Sequence, residues 1–407
     1  MSISTWIRGM RPQTLPLALA PVLIGVARSW MGVFSYSQGG DVDHPPCPTF
    51  GGRPEAYGTV NSVVNGAMAS STQGACSTSV GWFVAVSVLC ALVALFLQIA
   101  VNFANDYSDG VRGVDQGRTG VVGRAGTIGN AGVVGRAVGV SQTGGGTAAN
   151  ASRPAPARLV ASGVPPRTVL IAAGVSAALA CLAGLGVVAL TGYWWFILVG
   201  VACLLAGWFY VGGRHPYGYH GWGEVSVFVF FGLVATIGTQ FALTGTVSLS
   251  GIWGGVTVGL VAVSVLTVNN LRDVDEDRRH GKRTWPVRLG ERGGRILLDV
   301  LLAGAAAMTL LLFRASYAWQ VVALGPDCGV AYPDGDLNHA VESCGTAWYH
   351  TQTVMYYSSI VLLAVFVGLC AAAIVAVHRR RFRPALPLCT ISSLVLAAEY
   401  WTLSFLM

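Results

Sequence analysis

The residues of this sequence best suited to chemistry are two clusters of acidic side chains with asparagines beside them. The first runs from Asn102 to Asp109, with Asp115 just beyond it, and the second runs from Asn269 to Asp277. Seven of the 18 acidic residues belong to these clusters. Carboxylates this close repel one another, so they need a compensating cation, and oxygen ligands favour a hard ion such as Mg²⁺. Since Mg²⁺ commonly bridges to phosphate, the clusters predict a magnesium site for a phosphorylated substrate.

The spacing in the first cluster predicts that its members share one face of a helix. Asn102, Asp106 and Asp109 are spaced i, i+4, i+7, and Asn105 precedes Asp109 by four residues. Residues three, four and seven apart lie on the same side of an α-helix. We therefore expect one stripe of oxygen ligands at the end of a helix.

The second cluster repeats this device, because Asn269, Asp273 and Asp277 are each four residues apart. Two such stripes facing each other across a bundle would hold Mg²⁺ ions with a diphosphate between them. The alternative is two solvated helix ends with scattered acids, which a repeated pattern flanked by asparagine disfavours. The predicted metal ligands are Asp106, Asp109, Asp115, Asp273 and Asp277.

Cationic residues near the clusters are candidates for neutralising a diphosphate leaving group. Lys282 is the one lysine among 25 basic residues, which favours a specific need for a compact ammonium. Arg112 follows the first cluster by one turn, Arg158 lies upstream of the next apolar stretch, and Arg272 belongs to the second cluster. Other arginines nearby are equally well explained as anchors at a membrane surface.

Aromatic residues form a third candidate group. Tyr210, Tyr219 and His220 belong to a stretch that we expect on the same side as both acidic clusters. Aromatic faces there would stabilise a cationic intermediate, and His220 would position a phenolic substrate. The alternative is an interfacial aromatic belt. Glu224 begins the next apolar stretch, and we interpret it as a helix-capping acid.

The composition predicts that these residues are positioned by membrane-spanning helices. Hydrophobic residues make up 53% of the chain, charged residues 11%, and the mean hydropathy is +0.60. A spanning helix needs about 20 apolar residues. The candidate spans lie near 12–30, 81–104, 168–191, 194–212, 223–244, 252–272, 296–318, 353–377 and 385–406.

Basic residues predict the orientation of these nine spans. With the N terminus inside, the inside segments hold nearly all the arginines, whereas the outside loops 31–80 and 319–352 hold only Arg53. This asymmetry places the N terminus and both acidic clusters in the cytoplasm. It also disfavours a nucleic-acid surface, because the positive charge is spread over loops between apolar spans.

The long loops are expected to be appendages of a single polytopic domain covering 1–407. Segment 116–157 is a Gly-rich cytoplasmic insertion that lacks aromatics, interpreted as flexible or, alternatively, as a lid over an anion. The outside loops 31–80 and 319–352 each contain two cysteines, which are either free or paired.

Together these motifs resemble the UbiA superfamily of intramembrane prenyltransferases. The resemblance is closest to the 1,4-dihydroxy-2-naphthoate polyprenyltransferase branch of menaquinone biosynthesis. Segment 102–109 matches the Asn-x-Ala-Asn-Asp-Tyr-x-Asp pattern of that branch, and 269–290 matches its second motif, including Gly281, Lys282 and Thr284. Residues 11–16 and 219–224 are also similar, whereas loops 31–80 and 116–157 are longer than is usual.

The resemblance implies an all-α bundle of nine helices around a central cavity, in the plasma membrane of a bacterium. It also implies Mg²⁺-dependent transfer of a polyprenyl group from polyprenyl diphosphate to 1,4-dihydroxy-2-naphthoate, with loss of CO₂. Other acceptors of the superfamily, such as 4-hydroxybenzoate or a phosphoribose, stay open. A cation-coupled transporter is the alternative of another class. It predicts acids and counter-charges near the middle of the spans, where this sequence has only Asp299 and Glu399, each isolated.

Overall fold

A computed structural model of the chain describes residues 3–34, 80–112, 159–213, 216–323 and 346–406. The long loops, with Asp115, Arg158 and their four cysteines, lie outside these ranges. Every regular element in the described part is helical. These elements are α1 (Ile3–Met10), α2 (Pro16–Phe34), α3 (Val80–Val111), α4 (Pro166–Thr191), α5 (Phe196–Val211), α6 (Gly223–Thr244), α7 (Leu249–Arg272), α8 (Val274–Arg279), α9 (Trp285–Ala323), α10 (Thr346–His378) and α11 (Phe382–Leu406), with 3₁₀ turns at Pro12–Thr14 and Tyr217–His220.

The long helices have the length and composition of membrane spans. Seven of the nine predicted spans fall within described helices that are long and apolar enough to cross a bilayer, and the predicted spans 12–30 and 194–212 overlap two further helices. The other two, α2 with its apolar stretch Pro16–Trp30 and α5 at Phe196–Val211, are shorter. This is the organisation of a multi-pass membrane protein.

Two helices form the centre of the bundle. The most apolar stretch of α7 is 72% buried and that of α11 is 61% buried. The corresponding stretch of α3 is only 17% buried, so α3 lies at the periphery. The main core joins α2, α7, α9, α10 and α11. Glycines let α6 approach α7 closely, since a Cβ on Gly232 would lie 2.6 Å from the Gly255 carbonyl oxygen.

The first acidic cluster lies within a helix, as predicted, whereas the second spans a junction between two helices. α3 continues to Val111, so the first cluster occupies its last turns. At the second cluster, α7 ends at Arg272 and α8 begins at Val274. Asp273 joins them with φ −101°, so the helix is interrupted there. The Asp273 N–H still donates to the Asn269 carbonyl and the Asp277 N–H to the Asp273 carbonyl, so the predicted four-residue spacing continues across the junction.

Acids deep in the spans are not isolated, contrary to the sequence-based expectation. Asp299 Oδ2 lies 2.9 Å from His378 Nε2, which joins α9 to α10. Glu399 accepts a 2.5 Å hydrogen bond from Ser359, which joins α11 to α10. Each acid therefore has a partner on a neighbouring helix, and the spacing along one helix does not reveal it.

Candidate active site

One lysine brings the two acidic clusters together. Lys282 Nζ lies 3.6 Å from Asp109 Oδ1 and 3.4 Å from Asp277 Oδ1. The Lys282 side chain is 12% exposed, and the two carboxylates are nearly buried. One acid from each cluster therefore reaches the same ammonium group, although 168 residues separate the two acids in sequence. The clusters contribute to a single site.

The local backbone explains the position of Lys282. At the end of α8, Lys282 N–H donates to the Asp277 carbonyl and Gly281 N–H donates to the Arg278 carbonyl. This is the hydrogen-bond pattern of a Schellman motif, which requires a left-handed residue after the helix. Gly281 supplies it with φ 72°. The motif reverses the chain and returns the lysine side chain toward Asp277.

A polar cavity of about 140 Å³ lies at this convergence. We call the end of the bundle that contains it the site end. The cavity is lined by charged, amide and aromatic side chains from five helices and the connections between them. The lining residues are Arg11, Asn105, Asp109, Tyr210, Gly218, Tyr219, Gly223, Glu224, Leu266, Asn269, Asn270, Arg272, Asp273, Asp277, Lys282 and Thr284.

Tyr219 orients the first cluster. Its hydroxyl donates a 2.5 Å hydrogen bond to Asp109 Oδ1. Two cations lie over its ring: Lys282 Nζ at 4.6 Å from the centroid and Arg112 Cζ at 5.1 Å. Arg112 Nη2 also donates to the Gly213 carbonyl at 3.0 Å, and it is not among the residues that line the cavity. Arg112 therefore supports Tyr219.

Asp106 lies beside the cavity rather than in its lining. Its carboxylate accepts from Arg11 Nη2 at 2.6 Å and from the Leu159 N–H at 3.3 Å, and it is almost completely buried. Arg11 itself lines the cavity. The sequence analysis did not include Arg11 as a site residue, although it begins the Arg-Pro-Gln-Thr-Leu-Pro segment matched to the family.

Asn102 connects the N-terminal segment to α3. Its amide donates to the Met10 carbonyl at 2.8 Å, and its side-chain oxygen accepts from Gln98. It is not among the residues that line the cavity, whereas Asn105, three residues later, is. Of the first stripe, Asn105 and Asp109 thus reach the cavity directly.

In the second cluster, Asp273 and Arg272 form a paired unit at the cavity wall. Arg272 Nε and Nη2 each donate to one Asp273 oxygen at 2.9 Å, a bidentate arrangement. Asn269 and Asp277 line the same cavity. By contrast, the Asp275 side chain is 79% exposed and pairs with Arg278 at the surface.

Glu224 is a site residue that the sequence analysis assigned to capping its own helix. It is 1% exposed and lines the cavity. Its Oε1 accepts from Asn270 Nδ2 and from the Trp285 N–H, both at 3.1 Å. It therefore caps α9 and holds α7, rather than capping α6 alone. The signal in the sequence is an acid at the start of an apolar span, because burying its charge costs free energy and such acids are usually functional.

The remaining predicted aromatics separate into one lining residue and one surface residue. Tyr210 lines the cavity, and its ring packs edge-to-face on Tyr217 with centroids 5.6 Å apart. Tyr217 is fixed in turn by donating to the Ala206 carbonyl at 2.8 Å, and burial raises the pKa of its phenol. His220 is exposed and does not line the cavity; its ring nitrogen contacts the Pro216 carbonyl.

The donor set of the cavity suits a hard divalent cation. Carboxylate oxygens of Asp109, Asp273 and Asp277 and amide oxygens of Asn105 and Asn269 are the ligand type that Mg²⁺ prefers. Within the described ranges no three such acids, histidines or cysteines already form a compact metal cluster. Instead, the Lys282 ammonium supplies the positive charge between two of the acids.

Comparison with known proteins gives consistent relatives. The UbiA prenyltransferase family model matches residues 142–332. A 1,4-dihydroxy-2-naphthoate octaprenyltransferase of Mycobacterium tuberculosis is 36% identical over 79% of this chain and 82% of its own length. Proteins with the same name from Mycobacterium leprae and Escherichia coli are 33% and 28% identical, each over 79% of this chain and over 82% and 81% of their own lengths. With this coverage and its paired acidic motifs, the chain belongs to the UbiA prenyltransferase family.

Proposed function

We propose that this protein transfers a polyprenyl group from polyprenyl diphosphate to 1,4-dihydroxy-2-naphthoate and so forms demethylmenaquinol in menaquinone biosynthesis. The acceptor and the prenyl transfer are those in the names of its relatives, at up to 36% identity over most of the chain. The observation that carries the proposal is the meeting of Asp109 and Asp277 at Lys282, because metal held by both acidic motifs can then bind one diphosphate.

Divalent metal fits this site, and we propose Mg²⁺. Asp109, Asp273 and Asp277 would hold it, with the side-chain oxygens of Asn105 and Asn269 assisting. Asp106 would join them only by exchanging its ion pair with Arg11, and Asp273 would likewise exchange its bidentate pair with Arg272. When bound, the metal neutralises the diphosphate and favours its departure as an anion.

The residues of the chain then divide between the two products of ionisation. As the carbon–oxygen bond breaks, negative charge grows on the diphosphate, where Lys282, Arg272 and Arg11 counter it. The allylic carbon becomes positive, and the Tyr210 ring stabilises it by cation–π attraction. The carboxyl-bearing carbon of the acceptor attacks this cation, a carbon–carbon bond forms, and the carboxylate leaves as CO₂ with its bonding electrons returned to the ring.

The polyprenyl chain needs an apolar route beside the polar cavity. An apolar groove of about 490 Å³ lies between α5 and α6, with Tyr217, Trp222 and Phe230 in its lining. Tyr217 packs on Tyr210 of the cavity, so the groove adjoins the site. We propose this groove as a route for the chain toward lipid.

The proposed placement in the membrane follows from charge. We propose that α2 and α5 also cross the bilayer, which makes nine spans with the N terminus and the site end in the cytoplasm. The support is the concentration of arginine in the segments on that side. In a bacterial plasma membrane this orientation gives the site access to the soluble acceptor.

The test is a product assay on membranes that contain the full-length chain. Radiolabelled polyprenyl diphosphate and Mg²⁺ are incubated with 1,4-dihydroxy-2-naphthoate, with 4-hydroxybenzoate or with a phosphoribose. We expect labelled demethylmenaquinol and release of CO₂ with the naphthoate alone. Prenylation of another acceptor in its place would overturn the proposed substrate. Absence of transfer to any acceptor, with cation flux in proteoliposomes, would overturn the enzymatic function.

A further inference from the structure

Glu224 has one carboxylate oxygen that the protein itself leaves unsatisfied. Its Oε1 accepts two hydrogen bonds, from Asn270 and Trp285, whereas its Oε2 is buried without a hydrogen-bond partner among the described residues. A buried, unsatisfied carboxylate oxygen is costly, so its persistence calls for a reason. Because Glu224 lines the cavity, a substrate is the natural partner for this oxygen.

The chemistry of the two substrates decides which of them this oxygen suits. A diphosphate carries negative charge and accepts hydrogen bonds, so a carboxylate oxygen repels it. The cavity already provides cations for the diphosphate, in Lys282, Arg272 and Arg11. A hydroxylated aromatic acceptor donates hydrogen bonds through its phenolic groups, and a carboxylate is a strong acceptor for them.

The surroundings of Glu224 also suit a flat aromatic ring. Gly223, the preceding residue, lies against Tyr210, where a Cβ would be 3.3 Å from the tyrosine oxygen. The absence of a side chain at Gly223 thus lets the Tyr210 ring and the Glu224 carboxylate occupy the same corner of the cavity. A tyrosine face next to a fixed hydrogen-bond acceptor is the arrangement that orients a hydroxylated aromatic substrate.

We propose that Glu224 is a specificity-determining residue whose free carboxylate oxygen accepts a hydrogen bond from one hydroxyl of the aromatic acceptor. This inference rests on the proposed prenyl transfer and adds the residue that recognises the acceptor. The contact orients the ring so that its carboxyl-bearing carbon faces the allylic cation. Its loss impairs acceptor binding and leaves the polyprenyl diphosphate unaffected.

The test uses Glu224→Gln in the full-length protein, because glutamine keeps the oxygen for Asn270 and Trp285 and replaces the free oxygen with a donor. We expect the KM for 1,4-dihydroxy-2-naphthoate to rise by about tenfold to a hundredfold, the range for a hydrogen bond to a charged group. The KM for polyprenyl diphosphate should stay within about twofold. Glu291→Gln is the matched control, because Glu291 pairs with Arg295 and Arg380 and does not line the cavity.

Two acceptor analogues identify the hydroxyl and separate recognition from folding. 1-Hydroxy-2-naphthoate and 4-hydroxy-2-naphthoate each lack one hydroxyl and serve as competitive inhibitors. We expect Glu224→Gln to weaken binding of the analogue that retains the contacted hydroxyl and to leave binding of the other analogue unchanged. Equal weakening of both analogues, or a parallel rise in the KM for polyprenyl diphosphate, would overturn the proposal.

A second variant covers the case in which Glu224→Gln does not fold. Glu224→Asp keeps the charge and withdraws the oxygen by one methylene, so the same selective loss is expected. Wild-type kinetics in a folded Glu224 variant would contradict the role of Glu224 and leave the proposed function standing. Failure of the wild-type protein to prenylate any hydroxylated aromatic would contradict the proposed function itself.

Discussion

The two ends of this bundle each bury a glutamate among polar partners, yet they use the same residue types differently. At the site end, Glu224 lines a cavity that contains acids, amides and cations. At the opposite end, a group that we call the far-end cluster joins α2, α10 and α11. It consists of Arg28, Ser359, Glu399, Tyr400 and Ser404.

The far-end cluster has the geometry of a helix clamp. Arg28 Nη2 donates to the Tyr400 carbonyl at 2.8 Å and to the Ser404 hydroxyl at 2.9 Å, and the Arg28 guanidinium lies 5.4 Å from the Tyr400 ring centroid. Glu399 accepts from Ser359 across to α10. These contacts lie within helices, and each joins two helices directly.

The site end differs because its polar groups come from helix ends and turns. Asp109 lies in the last turn of α3, Asp277 and Lys282 flank the end of α8, and Tyr219 belongs to a 3₁₀ turn. Such segments leave space between them, whereas helix interiors in close contact do not. A buried charge therefore does not by itself identify the active site, whereas buried charges that line an accessible cavity do.

The largest expected effect is the loss of a carboxylate at the site end. We expect Asp277→Ala to lower kcat by about 100-fold to 1,000-fold, because the diphosphate loses metal-mediated charge stabilisation. Prenyl transfer at saturating Mg²⁺ measures it. Asp275→Ala is the matched control in the same cluster, since its side chain is 79% exposed and should leave kcat unchanged. Equal losses in both variants would mean that the cluster acts only through folding.

Removal of the bridging ammonium should have the next largest effect. Lys282→Met leaves Asp109 and Asp277 without their shared cation, and we expect kcat to fall by about 100-fold. Lys282→Arg should restore part of the rate. Arg279→Met, a change at an exposed cation of α8, serves as the control. A Lys282→Met protein with wild-type kcat would disprove a role in diphosphate departure.

A smaller effect is expected from the residue that orients Asp109. Tyr219→Phe removes the hydroxyl that donates to Asp109 and keeps the ring beneath Lys282 and Arg112. A hydrogen bond to a charged group predicts a loss of about tenfold in kcat/KM. Steady-state prenyl transfer measures it, with Tyr357→Phe as an exposed control. An unchanged kcat/KM would show that Asp109 does not depend on this contact.

The smallest effect on catalysis is expected at the far-end cluster. Ser359→Ala removes the donor to buried Glu399 and should lower the free energy of unfolding by about 1–3 kcal/mol. Thermal unfolding in detergent measures this change, and Ser358→Ala on the same helix is the control. We expect kcat and KM of the folded protein to stay at wild-type values. A loss of activity without a loss of stability would place the far-end cluster in the mechanism.

Much of the candidate site was predictable because helical spacing is local. The i, i+4 spacing of Asn105 and Asp109 predicts that they share one face, and Lys282 is conspicuous as the one lysine of the chain. Of the i, i+4, i+7 stripe, Asp109 lines the cavity, whereas Asn102 and Asp106 lie beside it. The helical fold and nearly all the span positions follow from apolar segments of about 20 residues. The spacing did not predict the junction between α7 and α8 at Asp273, although Asn269, Asp273 and Asp277 all line the cavity.

By itself, the sequence indicated the family through the resemblance of its motifs. It also determined the helical membrane architecture and the residues that carry charge, because these follow from composition and from spacing along one helix. Only the tertiary structure decided the pairing: Asp106 with Arg11, Glu224 with α7 and α9, and Asp109 with Asp277 through Lys282. The physical reason is that pairing depends on which helix faces lie against each other. That choice is made by packing of the whole bundle, among residues that are 46 or more positions apart in the sequence.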